Sequence, residues 1–235
     1  MKKIKGIIFD YGGTIDTNGT HWGELIEEEY RRAGVKISKE LFREAYVYAE
    51  RALAKNPIIA PDDTFFTLLD KKTTLQAEYL ASKHHPITPE ERKTIAESCY
   101  KRVLDTLATT RTLVEKLSTR YPLVLVTNFY GNMPVVLQEF SLNKYFGNII
   151  ESSVVGLRKP DPALFALGVK ALNLAPEDIL VIGDSYRKDI HPARTLGCKA
   201  VWLKNICWEE EPVQPGAEPS AIISSLEELP ALIDF

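Results

Sequence analysis

The stretch Gly6-Ile7-Ile8-Phe9-Asp10-Tyr11-Gly12-Gly13-Thr14 puts a carboxylate at the abrupt end of an apolar run. A buried strand that closes on Asp and a Gly-Gly-Thr turn sets an ionisable group where open α/β sheets bind ligands, just beyond the strand's carboxyl end. Asp10 could equally do no more than cap the turn. Other chemistry-bearing residues follow the same punctuation. Leu123-Val124-Leu125-Val126 runs into Thr127-Asn128, and Ile179-Leu180-Val181-Ile182 runs into Gly183-Asp184, with Asp189 a little further on. Between them Lys159 stands in Gly156-Leu157-Arg158-Lys159-Pro160-Asp161-Pro162, where two prolines restrict the backbone just before a helix. Strand ends share one edge of a parallel sheet, so these groups can converge. Carboxylates gathered around one point repel unless protons or a cation hold them, and hard oxygen ligands with water and phosphate suit Mg²⁺. Read one at a time, Thr127 could simply end a strand, Lys159 could lie in solvent and Asp189 could start a helix. His84, His85 and His191 read as ordinary surface or loop residues, with no second ligand at metal spacing.

The elements that must position these groups alternate in type. Residues 4–9, 123–126, 148–151, 179–182 and 199–203 read as short apolar strands, with helices expected at 113–117, 133–140, 162–172 and 188–196. Such alternation builds right-handed βαβ units, hence an α/β fold with a Rossmann-like, doubly wound parallel sheet. The segment after the first strand breaks the pattern. From residue 18 to 108 only helical periodicity is present, as in Trp22, Leu25, Ile26 and Tyr30, with Ser38 as an N-cap and Thr88-Pro89-Glu90-Glu91 as a capping box. The expected organisation is an all-helical domain, 18–108, inserted into a core made of 1–17 and 109–235. The acidic, proline-rich stretch 209–219 reads as a surface loop before a last helix at 226–233.

Composition narrows the partners. The 235 residues suffice for one large domain or for a core with a smaller insertion. A net charge of -3 and a pI near 5.9 leave no basic surplus to neutralise a nucleic-acid backbone. No apolar run approaches bilayer length and Met1-Lys2-Lys3-Ile4 enters a strand without a cleavable signal, so the expected location is cytoplasmic, with no membrane partner. Cys99, Cys198 and Cys207 are odd in number and widely spaced, and read as small core residues in a reducing compartment.

Four segments, in this order, resemble the haloacid dehalogenase (HAD) superfamily, in the subgroup with a helical C1-type cap after the first strand. They are Asp10 to Thr14, Leu123 to Asn128, Gly156 to Pro162 and Gly183 to Asp189, and the resemblance covers essentially the whole chain. It implies that Asp10 is a nucleophile that forms an aspartyl-phosphate, with Thr127 and Lys159 completing the catalytic set. It implies Mg²⁺ held by Asp10, the backbone carbonyl of Gly12 and Asp184, with Asp189 orienting the metal shell or binding through water. Asn128 and Gly13 would bind the substrate. The helical insertion would close as a cap over a small phosphorylated substrate, with Trp22, Tyr46, Tyr48 and Phe65 or Phe66 facing the closed space. A monomer or a homodimer would serve.

One position departs from that pattern. Phosphatases of the superfamily carry a second Asp two residues after the nucleophile, as general acid and base, and here it is Gly12. Losing such a group costs about a hundred- to ten-thousandfold in rate. Asp16 is close in sequence but lies beyond the turn. Three readings stand: a slow Mg²⁺-dependent phosphatase that favours good leaving groups, a phosphate- and metal-binding protein with little turnover, and a dehalogenase or phosphonate hydrolase. A phosphonate hydrolase would need a cap lysine, Lys55, Lys71 or Lys72, at the substrate, and the metal-free dehalogenases do not need Asp184 and Asp189.

Overall fold

The structure is a computed structural model that describes residues 4–233. Six strands, β1 (Gly6–Phe9), β2 (Leu123–Thr127), β3 (Asn148–Glu151), β4 (Ile179–Gly183), β5 (Lys199–Leu203) and β6 (Ala221–Ile223), form one parallel sheet in the order β3-β2-β1-β4-β5-β6. The chain winds outward from β1 to β3, crosses back to β4 and then winds the other way. That reversal leaves a crevice at the carboxyl end of β1, between β2 and β4. Both faces of the sheet are covered, so its strands are apolar on both sides rather than alternating. Ile7, Phe9, Leu125 and Ile182 pack into one core, and Ile8, Val124, Val126 and Val181 into the other.

Four helices, α1 (Trp22–Arg32), α2 (Lys39–Lys55), α3 (Phe65–Ser82) and α4 (Pro89–Ser118), lie between β1 and β2. α5 (Met133–Glu139) joins β2 to β3, and α6 (Ser152–Val155) and α7 (Pro162–Leu172) lead from β3 to β4. α8 (His191–Thr195) precedes β5, and α9 (Leu229–Leu232) follows β6. The helix starts have local causes. Ser38 Oγ accepts from the Leu41 N–H at 3.2 Å, and Thr88 and Glu91 cap each other, Thr88 N–H donating to Glu91 at 2.7 Å and Glu91 N–H to Thr88 Oγ1 at 3.1 Å. No helix among the described residues is long and apolar enough to cross a bilayer.

Three elements differ from the sequence-based expectation. Residues 221–223 form an edge strand that is too short to show a period, with Ile222 54% exposed, and the helix expected over 226–233 is cut to two short turns. The helices expected on either side of residue 109 are one helix of 30 residues, α4. Its buried face runs unbroken through Cys99, Val103, Leu107, Thr110, Val114 and Leu117, and no Gly or Pro interrupts it. The Thr110 hydroxyl donates to the Ile15 carbonyl at 3.1 Å, tying mid-helix to the turn after β1. The amino half of α4 thus packs in the helical insertion while Leu113, Val114 and Leu117 pack beneath the sheet. Cys99 and Cys198 are buried, whereas Cys207 is only half-buried in the loop after β5, so it is not a core residue.

A continuous α4 makes a definite prediction. Thr109→Pro, at an exposed position, removes one interior hydrogen bond and clashes with the preceding turn, and is expected to lower stability by about 3 kcal/mol or more in denaturant melts. Two helices meeting at a joint would tolerate it.

Candidate active site

Asp10 emerges from the central strand with its main-chain N–H still paired to Ile182 O at 2.9 Å. Its carboxylate is gripped from two sides, Oδ2 accepting from the Thr14 hydroxyl at 2.9 Å and Oδ1 from Lys159 Nζ at 2.6 Å. Thr14 reaches back because the turn between them is tight, with Thr14 and Ile15 N–H both on Tyr11 O. Lys159 is 5% exposed, and its ammonium also donates to Asp189 Oδ1 at 2.7 Å. The loop that carries it is clamped by Asn128, whose Oδ1 accepts from the Lys159 N–H at 2.9 Å and whose Nδ2 donates to the Lys159 carbonyl at 3.2 Å. Asp161, from the same segment, caps α7 through the Ala163 N–H at 2.9 Å.

Asp189 reaches the ammonium because the chain after β4 makes a wide π-helical turn, Tyr186–Ile190, that returns its carboxylate to the Ser185 N–H at 3.1 Å. Gly183 permits the approach, since a Cβ there would lie 2.4 Å from Asp189 Cβ. Asp184 packs its carboxylate on Gly13, where a Cβ would meet Oδ2 at 2.3 Å and φ is +94°. One oxygen from each of Asp10, Asp184 and Asp189 lies within 4.8 Å of the others.

Three carboxylates therefore face one ammonium, and the electrostatics register the imbalance. Burial, then the charges of Asp10 and Asp189, hold the Asp184 carboxyl well above the ordinary carboxylate range. Burial raises Asp189 to about 6 despite the neighbouring Lys159. Burial alone would lower the Lys159 ammonium, but Asp10 and Asp189 outweigh it and its pKa rises. An excess of buried negative charge on hard oxygen ligands fits a divalent cation such as Mg²⁺.

Asp16, which sequence order placed beyond the turn, is fully buried and belongs to this site. It accepts from the Gly13 N–H at 2.7 Å and from Trp22 Nε1 at 2.9 Å. Burial raises its pKa to about 7 against the pull of those two hydrogen bonds. The Gly13 N–H, expected at the substrate, is thus engaged within the turn. At Gly12 the space is open: a Cβ would meet only Trp22 Nε1, at 4.0 Å.

Asp10, Gly12, Asp16, Thr127, Asn128, Lys159, Asp184 and Asp189 border one cavity of about 760 Å³, which Trp22, Glu50 and Lys72 of the helical insertion also line. Of the aromatic residues expected there, Trp22, Tyr46 and Phe65 line it. Tyr48 instead lies tilted against Tyr79 at the surface, and Phe66 meets Tyr100 edge-to-face. Among the candidate cap lysines only Lys72 reaches the cavity. Lys71 is tied to Asp63 and the Ile58 carbonyl, and Lys55 is exposed. Lys72 is paired with Glu50, whose charge outweighs burial and keeps the ammonium protonated, unlike an amine poised for Schiff-base formation.

Sequence reasoning missed the loop after β5. Trp208 sits among His21, Tyr46 and Phe42 with ring centroids 5.1–6.4 Å away, and the Arg43 guanidinium lies 4.4 Å from its ring. Further along, Glu211 accepts from the Ser185 hydroxyl at 3.0 Å and from the Arg187 N–H at 3.1 Å, beside Asp184. This segment straps the helical insertion to the core. A Trp just before an acidic, proline-rich stretch is the signal the sequence offers.

Residues 4–197 match the sequence pattern of the haloacid dehalogenase-like hydrolases. The chain is similar to a phosphoserine phosphatase of Thermus thermophilus, 35% identical over 88 residues, a match covering 37% of this chain and 34% of that one, so it spans about a third of that relative's length. It is 27% identical to a phosphoglycolate phosphatase of Vibrio cholerae over 94% of this chain and 93% of that one. In fold it is similar to an L-2-haloacid dehalogenase of Xanthobacter autotrophicus with chloropropionic acid covalently bound, with a TM-score of 0.62 and 14% identity over 98% of both chains. A match across most of the chain, together with the parallel sheet and the carboxylate cluster at its edge, places this protein in the haloacid dehalogenase-like hydrolase family.

Proposed function

We propose that this hydrolase is a Mg²⁺-dependent phosphatase of small phosphorylated metabolites, working through an aspartyl-phosphate. The observation that carries the reading is the cluster at the carboxyl end of β1, where Lys159 bridges Asp10 and Asp189 inside a cavity deep enough for a small ester. A carboxylate held by Thr14 and Lys159 is fixed in direction, which favours in-line attack. Asp10 bonds to phosphorus as the ester P–O bond breaks and the leaving alkoxide takes a proton. Water then attacks phosphorus and releases phosphate and the Asp10 carboxylate. Lys159 and Thr127, with the main-chain amide of Asn128, bind the phosphoryl oxygens as charge shifts onto them, while the Asn128 side chain positions Lys159. Asp10, the Gly12 carbonyl and Asp184 would hold Mg²⁺, with Asp189 orienting the shell, and the ion would supply Lewis-acid polarisation of the phosphoryl group. The helical segment 18–108 acts as the cap that excludes water. The three carboxylates argue against the metal-free dehalogenase reaction, and the protonated Lys72 against phosphonate hydrolysis through a Schiff base.

Gly12 removes the usual proton donor, and Asp16 is the carboxyl the chain offers on that side, held by Trp22 and titrating near neutral pH. It serves as a slower substitute for the missing Asp.

Four outcomes are expected from phosphate-release assays on a panel of phosphate esters and acetyl phosphate. Asp10→Asn abolishes turnover, and chelator does so reversibly, Mg²⁺ restoring it. Asp16→Asn lowers turnover of esters with poor leaving groups by about a hundredfold but acetyl phosphate far less. Gly12→Asp, which has room for its side chain, raises ester hydrolysis by about a hundredfold. Turnover that survives Asp10→Asn or is indifferent to chelator would refute the reading.

A further inference from the structure

The loop after β5 meets the helical insertion and the turn that carries Asp189 within a few residues of each other. On the insertion side, the Ile206 carbonyl accepts from the His21 N–H at 2.8 Å and the Trp208 carbonyl from Arg43 Nη2 at 2.8 Å. The Trp208 ring lies so close to Gly23 of α1 that a Cβ there would stand 2.1 Å from it. Gly is a poor helix former, and at this position the missing methyl is what lets the ring in. Three residues on, the loop changes partner. Glu209 and Glu210 are exposed, but Glu211 is half-buried and turned inward. Both of its oxygens accept from the Ser185 hydroxyl, at 3.0 and 3.2 Å, and Oε2 also accepts from the Arg187 N–H at 3.1 Å. The Gln214 N–H then donates to the Tyr186 hydroxyl at 2.8 Å.

Ser185 is the pivot of that turn. It follows Asp184 in the chain, its N–H donates to Asp189 Oδ2 at 3.1 Å, and its Oγ accepts from the Lys188 N–H at 3.2 Å. By taking the hydroxyl proton, Glu211 fixes the direction in which Oγ can accept, and a carboxylate at the start of a helical turn also suits its unpaired N–H groups. We infer that Glu211 is a positioning residue for Asp184 and Asp189, and that Trp208, seated in the helical insertion, sets where Glu211 stands. The inference rests on the metal site of the phosphatase reading and adds to it a group that touches neither metal nor substrate. Partners that orient metal ligands from outside the ligand set are worth about ten- to a hundredfold in metal affinity. Three chain steps from Trp208 to Glu211 span at most about 10 Å, so a shift of the ring is passed on rather than absorbed. Metal affinity thereby depends on how the insertion is seated on the core.

Titration calorimetry with Mg²⁺ on the unsubstituted protein and its variants tests this. Glu211→Ala is expected to weaken Mg²⁺ binding by about tenfold. Glu211→Gln keeps an oxygen that can accept from the turn and recovers part of that loss, whereas Glu210→Ala, which removes the same charge from an exposed neighbour, leaves the affinity unchanged. Trp208→Ala removes no bond to the turn, yet weakens Mg²⁺ binding in the same direction and adds little when combined with Glu211→Ala. Mg²⁺ affinity unchanged by Glu211→Ala overturns the inference. So does Glu211→Gln binding as weakly as Glu211→Ala, or an equal loss in Glu210→Ala, since charge alone would then account for the effect. Trp208→Ala that lowers the melting temperature and spares Mg²⁺ affinity overturns the part assigned to Trp208. Should Trp208→Ala fail to fold by circular dichroism, Gly23→Ala, which favours the helix and displaces the ring, takes its place. An unsubstituted protein that binds no Mg²⁺ overturns the metal site itself, and one that binds it indifferently to these substitutions overturns only the positioning role.

Discussion

A single buried ammonium, that of Lys159, lies between two carboxylates that reach it from far-separated parts of the chain, and the geometry of the site depends on that contact. Asp10 comes from the end of the first strand and Asp189 from the turn after the fourth, each within 2.7 Å of the same nitrogen. Removing one partner from a buried pair of this kind costs about 3–5 kcal/mol, because the charge left behind has no water to turn to. The backbone is shaped to permit the contact. The Asn128 clamp fixes the lysine loop, the π-helical turn swings Asp189 inward, and Gly183 lets it pass close to the strand.

The same contact leaves the site incomplete in charge. One ammonium cannot balance Asp10, Asp184 and Asp189 together, and burial first, then the charges of Asp10 and Asp189, raise the pKa of Asp184. A protein that needed only a stable sheet edge would have no use for such repulsion. On the proposed function, a divalent cation and a phosphoryl group, one positive and one negative, would together satisfy both the carboxylates and the lysine. Beside Gly12, where a side chain would find open space, Trp22 and Asp16 are joined by a hydrogen bond.

The helical insertion is coupled to the core by contacts of several kinds. α4 passes through both, Tyr130 of the core bonds Glu50 of α2, and Trp208 lies in an aromatic cluster with His21 and Tyr46. Glu50, His21 and Tyr46, which line the cavity, are therefore held in part by groups of the core. Trp22 in turn donates to Asp16 through Nε1 and turns its ring to Lys72.

The strands that end on Asp10, Thr127 and Asp184 were readable from the chain itself, because a fully buried parallel strand leaves a run of apolar residues and its punctuation marks the sheet edge. The resemblance of four short segments named the family. Other features had no local signature. The length of α4 hid behind Thr109 and Thr110, which neither break nor announce a helix, and β6 was too short for a period. Asp16, Glu50, Lys72 and Trp208 lie in four separate stretches; in sequence Asp16 lies beyond the turn and Lys72 is one of three candidate lysines, while Glu50 and Trp208 look like an ordinary helix and loop residue. Only the folded chain brings them to one cavity, because side-chain convergence depends on how helices cross and where a loop is pinned, distances that no spacing along the backbone encodes.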